Sequence, residues 1–324
     1  MNAPIVVFAY NRPDKLKLVL EALRRNPEAH SSELYVFCDG PKKIEEPLKQ
    51  EREISRHSEV SNLAQRVEGF ERTRVILREK NLGLARSLIA GITEVCSQHG
   101  TAIVVEDDLV VSEEFLAYMN FTLQRYRNEP RVASISGYMY PTAERTDLPD
   151  SFFLRGAECW GWGTWKRSWD LFDSDGTRLL AQLREHGLES EFNPGARGPY
   201  LEMLRSQIEG KVDSWAIRWH ASMFVRNMVT LYPKCSLVKN IGFGADATHT
   251  SDAAEKKYAV DGRGHLPTRF PDLIEENAEA RHFMHNFFNQ GANTAAGGPR
   301  NLYKKMRAIA GMALRATGVR RRKP

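Results

Sequence analysis

The sequence predicts an α/β fold with a mostly parallel sheet flanked by helices. Three observations carry that expectation. Over the first 140 residues, short apolar runs alternate with helical stretches, which is the pattern of βαβ units. Those runs are continuous in apolar residues, as in strands buried on both faces. All six tryptophans fall between Trp160 and Trp219, so a second region of different composition follows the first.

Pro4–Tyr10 is the first strand. Asn11 is placed to cap the next helix, Pro13 suits its first turn, and Leu16, Leu20 and Leu23 share one face. Leu34–Cys38 is a second strand, closed by Asp39-Gly40-Pro41. A polar stretch to about residue 70 has helical content without a clear pattern. Arg74–Leu77 is a third strand and Leu84–Val95 a helix. Thr101–Val105 is a fourth strand, after which Ser112 caps a helix reaching about Tyr126. Val132–Ser136 is a fifth strand. Beyond residue 140, helices are expected near 199–210 and 215–227, with short strands at Val229–Tyr232 and Leu237–Lys239. Residues 251–300 read as polar and irregular. The expected organisation is a nucleotide-binding half over 1–140, a helical and aromatic half over 141–250, an extension over 251–300 and a basic tail over 301–324.

With 42% hydrophobic residues among 324, the composition is globular. Gly 23 and Pro 15 exclude a collagen-like or low-complexity chain. No secretory leader or spanning run is read, and the widely spaced cysteines point to a reduced, cytoplasmic compartment. The net charge of +5 belongs to the tail, where eight basic residues and no acid lie in 301–324. The body keeps 38 basic against 41 acidic residues, which excludes a nucleic-acid binder. Cys38, Cys96, Cys159 and Cys235 are too far apart for a zinc site or disulfide framework.

The sharpest chemical signal is Glu106-Asp107-Asp108, three acids directly after a buried strand. Strand ends of an open α/β sheet are where ligands bind, and carboxylates there hold hard cations against phosphate. The alternative is a solvated turn. In the first loop, Tyr10-Asn11-Arg12-Pro13, a helix start and a guanidinium both suit phosphate. Asp39 could accept from a base or ribose, or simply shape a turn. Asn81, in Asn81-Leu82-Gly83-Leu84-Ala85, could orient a loop.

Together these segments resemble the GT-A fold of nucleotide-sugar glycosyltransferases. The first loop and Asn81–Ala85 are similar to bacterial family-2 glycosyltransferases. Val104–Phe115 resembles the corresponding segment of N-acetylglucosaminyltransferase I. The likeness covers roughly residues 4–250. It implies that Asp108 ligates Mn²⁺ or Mg²⁺ on a donor diphosphate, with Glu106 and Asp107 on the ribose or sugar. It further implies Arg12 on the diphosphate and Asp39 on the base, with Tyr10, Asn11 and Asn81 completing the donor site. Ser134–Gly137 departs from that enzyme's own loop, so the donor need not be the same.

Further along, Trp160-Gly161-Trp162 reads as a glycine-loosened loop whose rings would stack on sugar, while Trp165 and Trp169 pack at helical spacing. Asp213, before Trp215 and Trp219, resembles the family's catalytic base, and the alternative is a helix cap. Asp246 is the substitute base. His249 ends a glycine-rich loop that in similar enzymes closes over the donor. Leu302, Met306, Ile309 and Ala313 suggest a basic amphipathic helix on an anionic membrane, at the inner face of the plasma membrane.

The resulting expectation is an inverting, metal-dependent glycosyltransferase. It would move a sugar from a nucleoside-diphosphate sugar to a glycan or lipid-linked acceptor in bacterial cell-surface polysaccharide synthesis. The rivals are a nucleotidyltransferase, which usually carries glycine in its first loop, and a non-catalytic carbohydrate-binding protein.

Overall fold

The computed structural model describes residues 2–141, 147–196, 198–243 and 257–290. In the first part, β1 (Ile5–Ala9), α1 (Pro13–Arg24), β2 (Glu33–Cys38), α2 (Pro47–Gln65), β3 (Arg72–Leu77), α3 (Leu84–His99) and β4 (Thr101–Glu106) alternate. β5 (Leu109–Val111), α4 (Phe115–Arg125), β6 (Val132–Ser136), β7 (Ser151–Arg155) and β8 (Trp162–Trp165) follow. Then come α5 (Lys166–Trp169), α6 (Gly176–Glu185), α7 (Glu189–Phe192), α8 (Tyr200–Ile208) and α9 (Trp215–Val225). The described part ends with β9 (Val229–Pro233), β10 (Val238–Asn240) and α10 (Ala278–Gln290).

Eight strands form one sheet in the order β3-β2-β1-β4-β8-β6-β9-β7. The pairs β3–β2, β2–β1, β1–β4 and β6–β9 are parallel, and β8 and β7 run against their neighbours. The continuous apolar runs follow from packing on both faces. In β1, Ile5, Val7 and Ala9 join one core while Val6 and Phe8 join the other. The same alternation places Ile103 and Val105 of β4 opposite Ala102 and Val104.

Several local expectations give way to longer-range pairing. Arg12, not Asn11, occupies the position before α1. Asn11 instead donates to Glu53. Ser112 is not the cap of α4, whose preceding residue is Glu114. The segment after the acids is taken up by β5, which pairs with β10. Trp162–Trp165 is a strand inside the sheet and not a loop, because it pairs with β4 on one side and β6 on the other. Trp165 therefore ends a strand and Trp169 ends α5, although both are buried as expected. Residues 278–290, expected to be irregular, form a helix that buries Ala280, Phe283, Met284 and Phe288.

Trp162 is fully buried and lies 5.5–6.0 Å from the rings of Trp169, Trp215 and Trp219. This cluster fastens α9 to the sheet beside Val104, the partner of Trp162 in β4. The start of α9 is thereby held near the end of the strand that leads into the acids.

His220 of α9 bonds through Nδ1 to the Ala157 carbonyl at 2.8 Å and packs against Phe192, Tyr200 and Phe224. Burial pushes its pKa down to about 4, while the Ala157 carbonyl opposes the shift. The unfolded chain binds this proton near pH 6.5 and the folded chain does not. Stability should therefore fall as pH drops from about 6.5 towards 4. Urea midpoints across that range should decline less steeply in His220→Gln than in the wild type. Parallel curves would assign the acid sensitivity to other groups.

Candidate functional site

The parallel strands β1, β2, β3 and β4 end on one edge of the sheet, and their loops form a cleft there. Tyr10, Arg12, Asp39, Lys42, Asn81 and the acids 106–108 all line it. Of the residues expected in the donor site, Asn11 alone turns away, towards α2.

Arg12 is the centre of the charge arrangement. One guanidinium nitrogen donates to Asp107 and another to Asp108, the latter at 2.8 Å. The Tyr10 main-chain N–H donates to the second Asp107 oxygen at 3.2 Å. Asp107 is thus nearly sealed, whereas the Asp108 side chain keeps 13% exposure towards the cleft. Burial raises the proton affinity of Glu106 and Asp107, and the Asp108 charge adds to this. Arg12 works against the shift in both. For Arg12 itself, burial disfavours the cation, but the two aspartates more than offset it.

A small second sheet brings later residues to the same place. β10 pairs with β5, so the Ile241 N–H donates to the Asp108 carbonyl at 2.8 Å. Gly242 then lies so close that a Cβ there would meet Asp108 Oδ2 at 2.3 Å. Only glycine admits the main chain this near to the carboxylate.

The oxygens present suit a hard divalent cation. Of the three acids, Asp108 is the one whose carboxylate keeps exposure to the cleft. Among the described residues, no three His, Cys, Asp or Glu side chains form a metal site by themselves. That donor set fits Mn²⁺ or Mg²⁺ held by a carboxylate together with substrate phosphate.

Asp39 is more constrained than the sequence suggests. Its carboxylate accepts from the main-chain N–H groups of Leu82 and Gly83, both at 2.9 Å, and from Gly40 at 3.1 Å. Asn81 donates to the Gly40 carbonyl at 2.7 Å, so the loops after β2 and β3 hold each other. Gly40 permits this contact, since a Cβ would meet the Lys80 carbonyl carbon at 2.5 Å.

Ser214, not Asp213, caps α9, with its Oγ accepting from the Ile217 N–H at 3.3 Å. Asp213 is left 37% exposed and paired with Arg218 at 3.1 Å. The cleft-lining residues do not include it.

Trp160 and Trp162 do not form the expected stacking platform. Trp162 has no exposed surface, and Trp160 is 8% exposed among Tyr138, Phe243 and Tyr258. Gly161 is turned to the sheet edge, where its carbonyl accepts from the Gly137 N–H at 2.7 Å. His249, Asp246 and the tail over 301–324 lie outside the described residues.

Two acids were missed by sequence reading. Glu53 is buried behind Tyr10 and Asn11. Glu158 is buried beside Cys159, accepting from its N–H at 2.9 Å and from the Tyr140 hydroxyl at 3.3 Å. Burial raises the proton affinity of Glu158. Among the described residues no helix is long and apolar enough to cross a membrane.

No family model matches the chain, and no curated protein matches it in sequence. Among solved structures, the chain is similar to Staphylococcus aureus TarS. The crystal structure of TarS 1–349 shares 13% identity at a TM-score of 0.31, covering 58% of this chain and 49% of that one. The same segment in complex with UDP gives 14% and 0.29, covering 46% and 39%. In complex with UDP-GlcNAc it gives 10% and 0.36, covering 95% and 72%. The chain thus spans half or less of the first two. Likeness at this level leaves function to be read from the site itself.

Proposed function

We propose that the chain is a nucleotide-sugar glycosyltransferase of GT-A type. The observation that carries this reading is the meeting of Arg12, Asp39 and the acids 106–108 in one cleft at the ends of β1, β2 and β4. The donor's diphosphate belongs beside Arg12 and Asp108, with its base towards Asp39 and Tyr10. Asp108 would hold Mn²⁺ or Mg²⁺, whose charge favours departure of the nucleoside diphosphate. Arg12 is already fixed by two carboxylates, so it meets the growing phosphate charge without reorganising. A guanidinium has five N–H groups, and the pairs with Asp107 and Asp108 leave others for phosphate oxygens.

On the acceptor side, Asp213 takes the proton from the attacking hydroxyl. What supports it is the resemblance of this segment to the family's base, with the tryptophan cluster packing the start of α9 against β8, whose Trp162 pairs with Val104 of β4. The acceptor is a glycan or lipid-linked sugar, and the basic tail directs the enzyme to an anionic membrane surface. A carbohydrate-binding module fits less well, because the tryptophan rings are enclosed and not offered to sugar.

The reading is tested by incubating the protein with nucleotide sugars and Mn²⁺ or Mg²⁺. Release of a nucleoside diphosphate supports it. Release of pyrophosphate from a nucleoside triphosphate and a sugar phosphate would make it a nucleotidyltransferase instead.

Three variants follow from the assigned roles. Arg12→Ala should weaken nucleoside-diphosphate binding about 10–100-fold in calorimetry, the span for hydrogen bonds to charged groups. Asp108→Asn should abolish the dependence of that binding on added Mn²⁺, and unchanged dependence would remove Asp108 from the cation site. Asp213→Asn should lower kcat by about 10²–10⁴ with donor affinity preserved. It should leave the melting temperature near that of the wild type, because Ser214 caps the helix, the Asn amide oxygen can still accept from Arg218, and Arg218 keeps its bonds to the Ser214 and Ser174 carbonyls. A near-normal kcat would place the base elsewhere.

A further inference from the structure

Helix α2 is a polar element in which Glu53, Val60 and Ala64 are the buried residues. A buried carboxylate is costly unless its lone pairs are used. Those of Glu53 are used. The Tyr10 hydroxyl and the Lys42 main-chain N–H both donate to Oε1, the latter at 3.2 Å. The Asn11 amide donates to Oε2 at 2.7 Å. The Lys42 N–H also reaches the Tyr10 oxygen at 3.2 Å, which closes the cluster.

These partners come from two different loops. Tyr10 and Asn11 follow β1, and Lys42 follows β2. Tyr10 and Lys42 line the cleft, while Glu53 stands behind them and does not. The Tyr10 ring is held at both ends. Its main-chain N–H is bonded to Asp107 and its hydroxyl to Glu53, with the Lys42 ammonium 5.0 Å from the ring centre.

We infer that Glu53 is a positioning residue for the nucleoside half of the donor, an inference that rests on the function proposed above. Glu53 touches no substrate. It sets the Tyr10 ring and the Lys42 loop as a fixed wall, so that a planar base meets a surface ordered in advance. The diphosphate half depends on Arg12 and Asp108 instead, and neither bonds to Glu53. Glu53 therefore acts on affinity for the nucleoside and not on affinity for phosphate.

The test is calorimetric titration of the full chain, as wild type and as Glu53→Gln, with Mg²⁺ present. The probes are UDP, ADP, GDP, CDP and inorganic pyrophosphate. Glutamine offers one acceptor oxygen to three donors. The nucleoside diphosphate that binds the wild type most tightly should bind Glu53→Gln roughly tenfold more weakly, the effect of one lost charged hydrogen bond. Pyrophosphate should bind both equally. Tyr10→Phe should show a similar loss, and the double variant should add little to it. Equal binding of the nucleoside diphosphate by wild type and Glu53→Gln would overturn the inference. So would an equal loss for pyrophosphate, which would mean that Glu53 supports the whole cleft. If Glu53→Gln does not fold, unchanged nucleotide binding by Tyr10→Phe would overturn it instead. A wild type that binds none of the four nucleotides would overturn the proposed function, and the inference with it.

Discussion

The fork between Arg12 and the two aspartates is the interaction on which the site depends. Three acids at a strand end repel one another, and burial makes their charge more costly. One guanidinium opposes both effects for Glu106 and Asp107, and it bonds to Asp107 and Asp108. It also ties the loop after β1 to the loop after β4, which are 95 residues apart in the chain. The same contact that makes the acidic cluster tolerable leaves a cation at the place where a diphosphate would bind. Removing Arg12 would therefore weaken both the structure of the cleft and its affinity for anions.

Around this fork, the sheet sets who can reach the cleft. β8 enters it in the antiparallel sense, so its beginning lies at the edge where β4 ends. That reversal puts Trp162 into the core and uses its ring to anchor α9. The pairing of β10 with β5 then folds the main chain of 241–242 against Asp108. Both devices are main-chain pairings between distant segments, and the second brings Gly242 against the Asp108 carboxylate.

Much of the first half of the fold was legible because β1, β2 and β4 are buried on two faces and so appear as unbroken apolar runs, whereas β3 lies half exposed at the sheet edge. The acids were legible for a related reason, since a charged triplet directly after such a run must lie at a strand end. The aromatic region was harder. Glycines beside Trp162 suggest a loop, and only the partners on both sides, β4 and β6, make it a strand. Asp213 and Ser214 are adjacent capping residues, and composition does not choose between them. The structure chooses Ser214 by the bond to Ile217. Glu53 was hidden because an inward glutamate on a polar helix looks like part of a solvated face. Helix α10 had a usable signal, with Ala280, Phe283, Met284, Phe287 and Phe288 at helical spacing.

The central claim is that this cleft recognises a nucleoside diphosphate through its phosphates. The most direct measurement compares a nucleoside, its monophosphate and its diphosphate by calorimetry on the wild-type chain, with and without Mn²⁺. The account predicts affinity rising with each phosphate, by at least roughly tenfold for the diphosphate over the nucleoside given charged contacts to Arg12, and rising further with Mn²⁺. Equal affinity for the nucleoside and the diphosphate, unaffected by Mn²⁺, would contradict it.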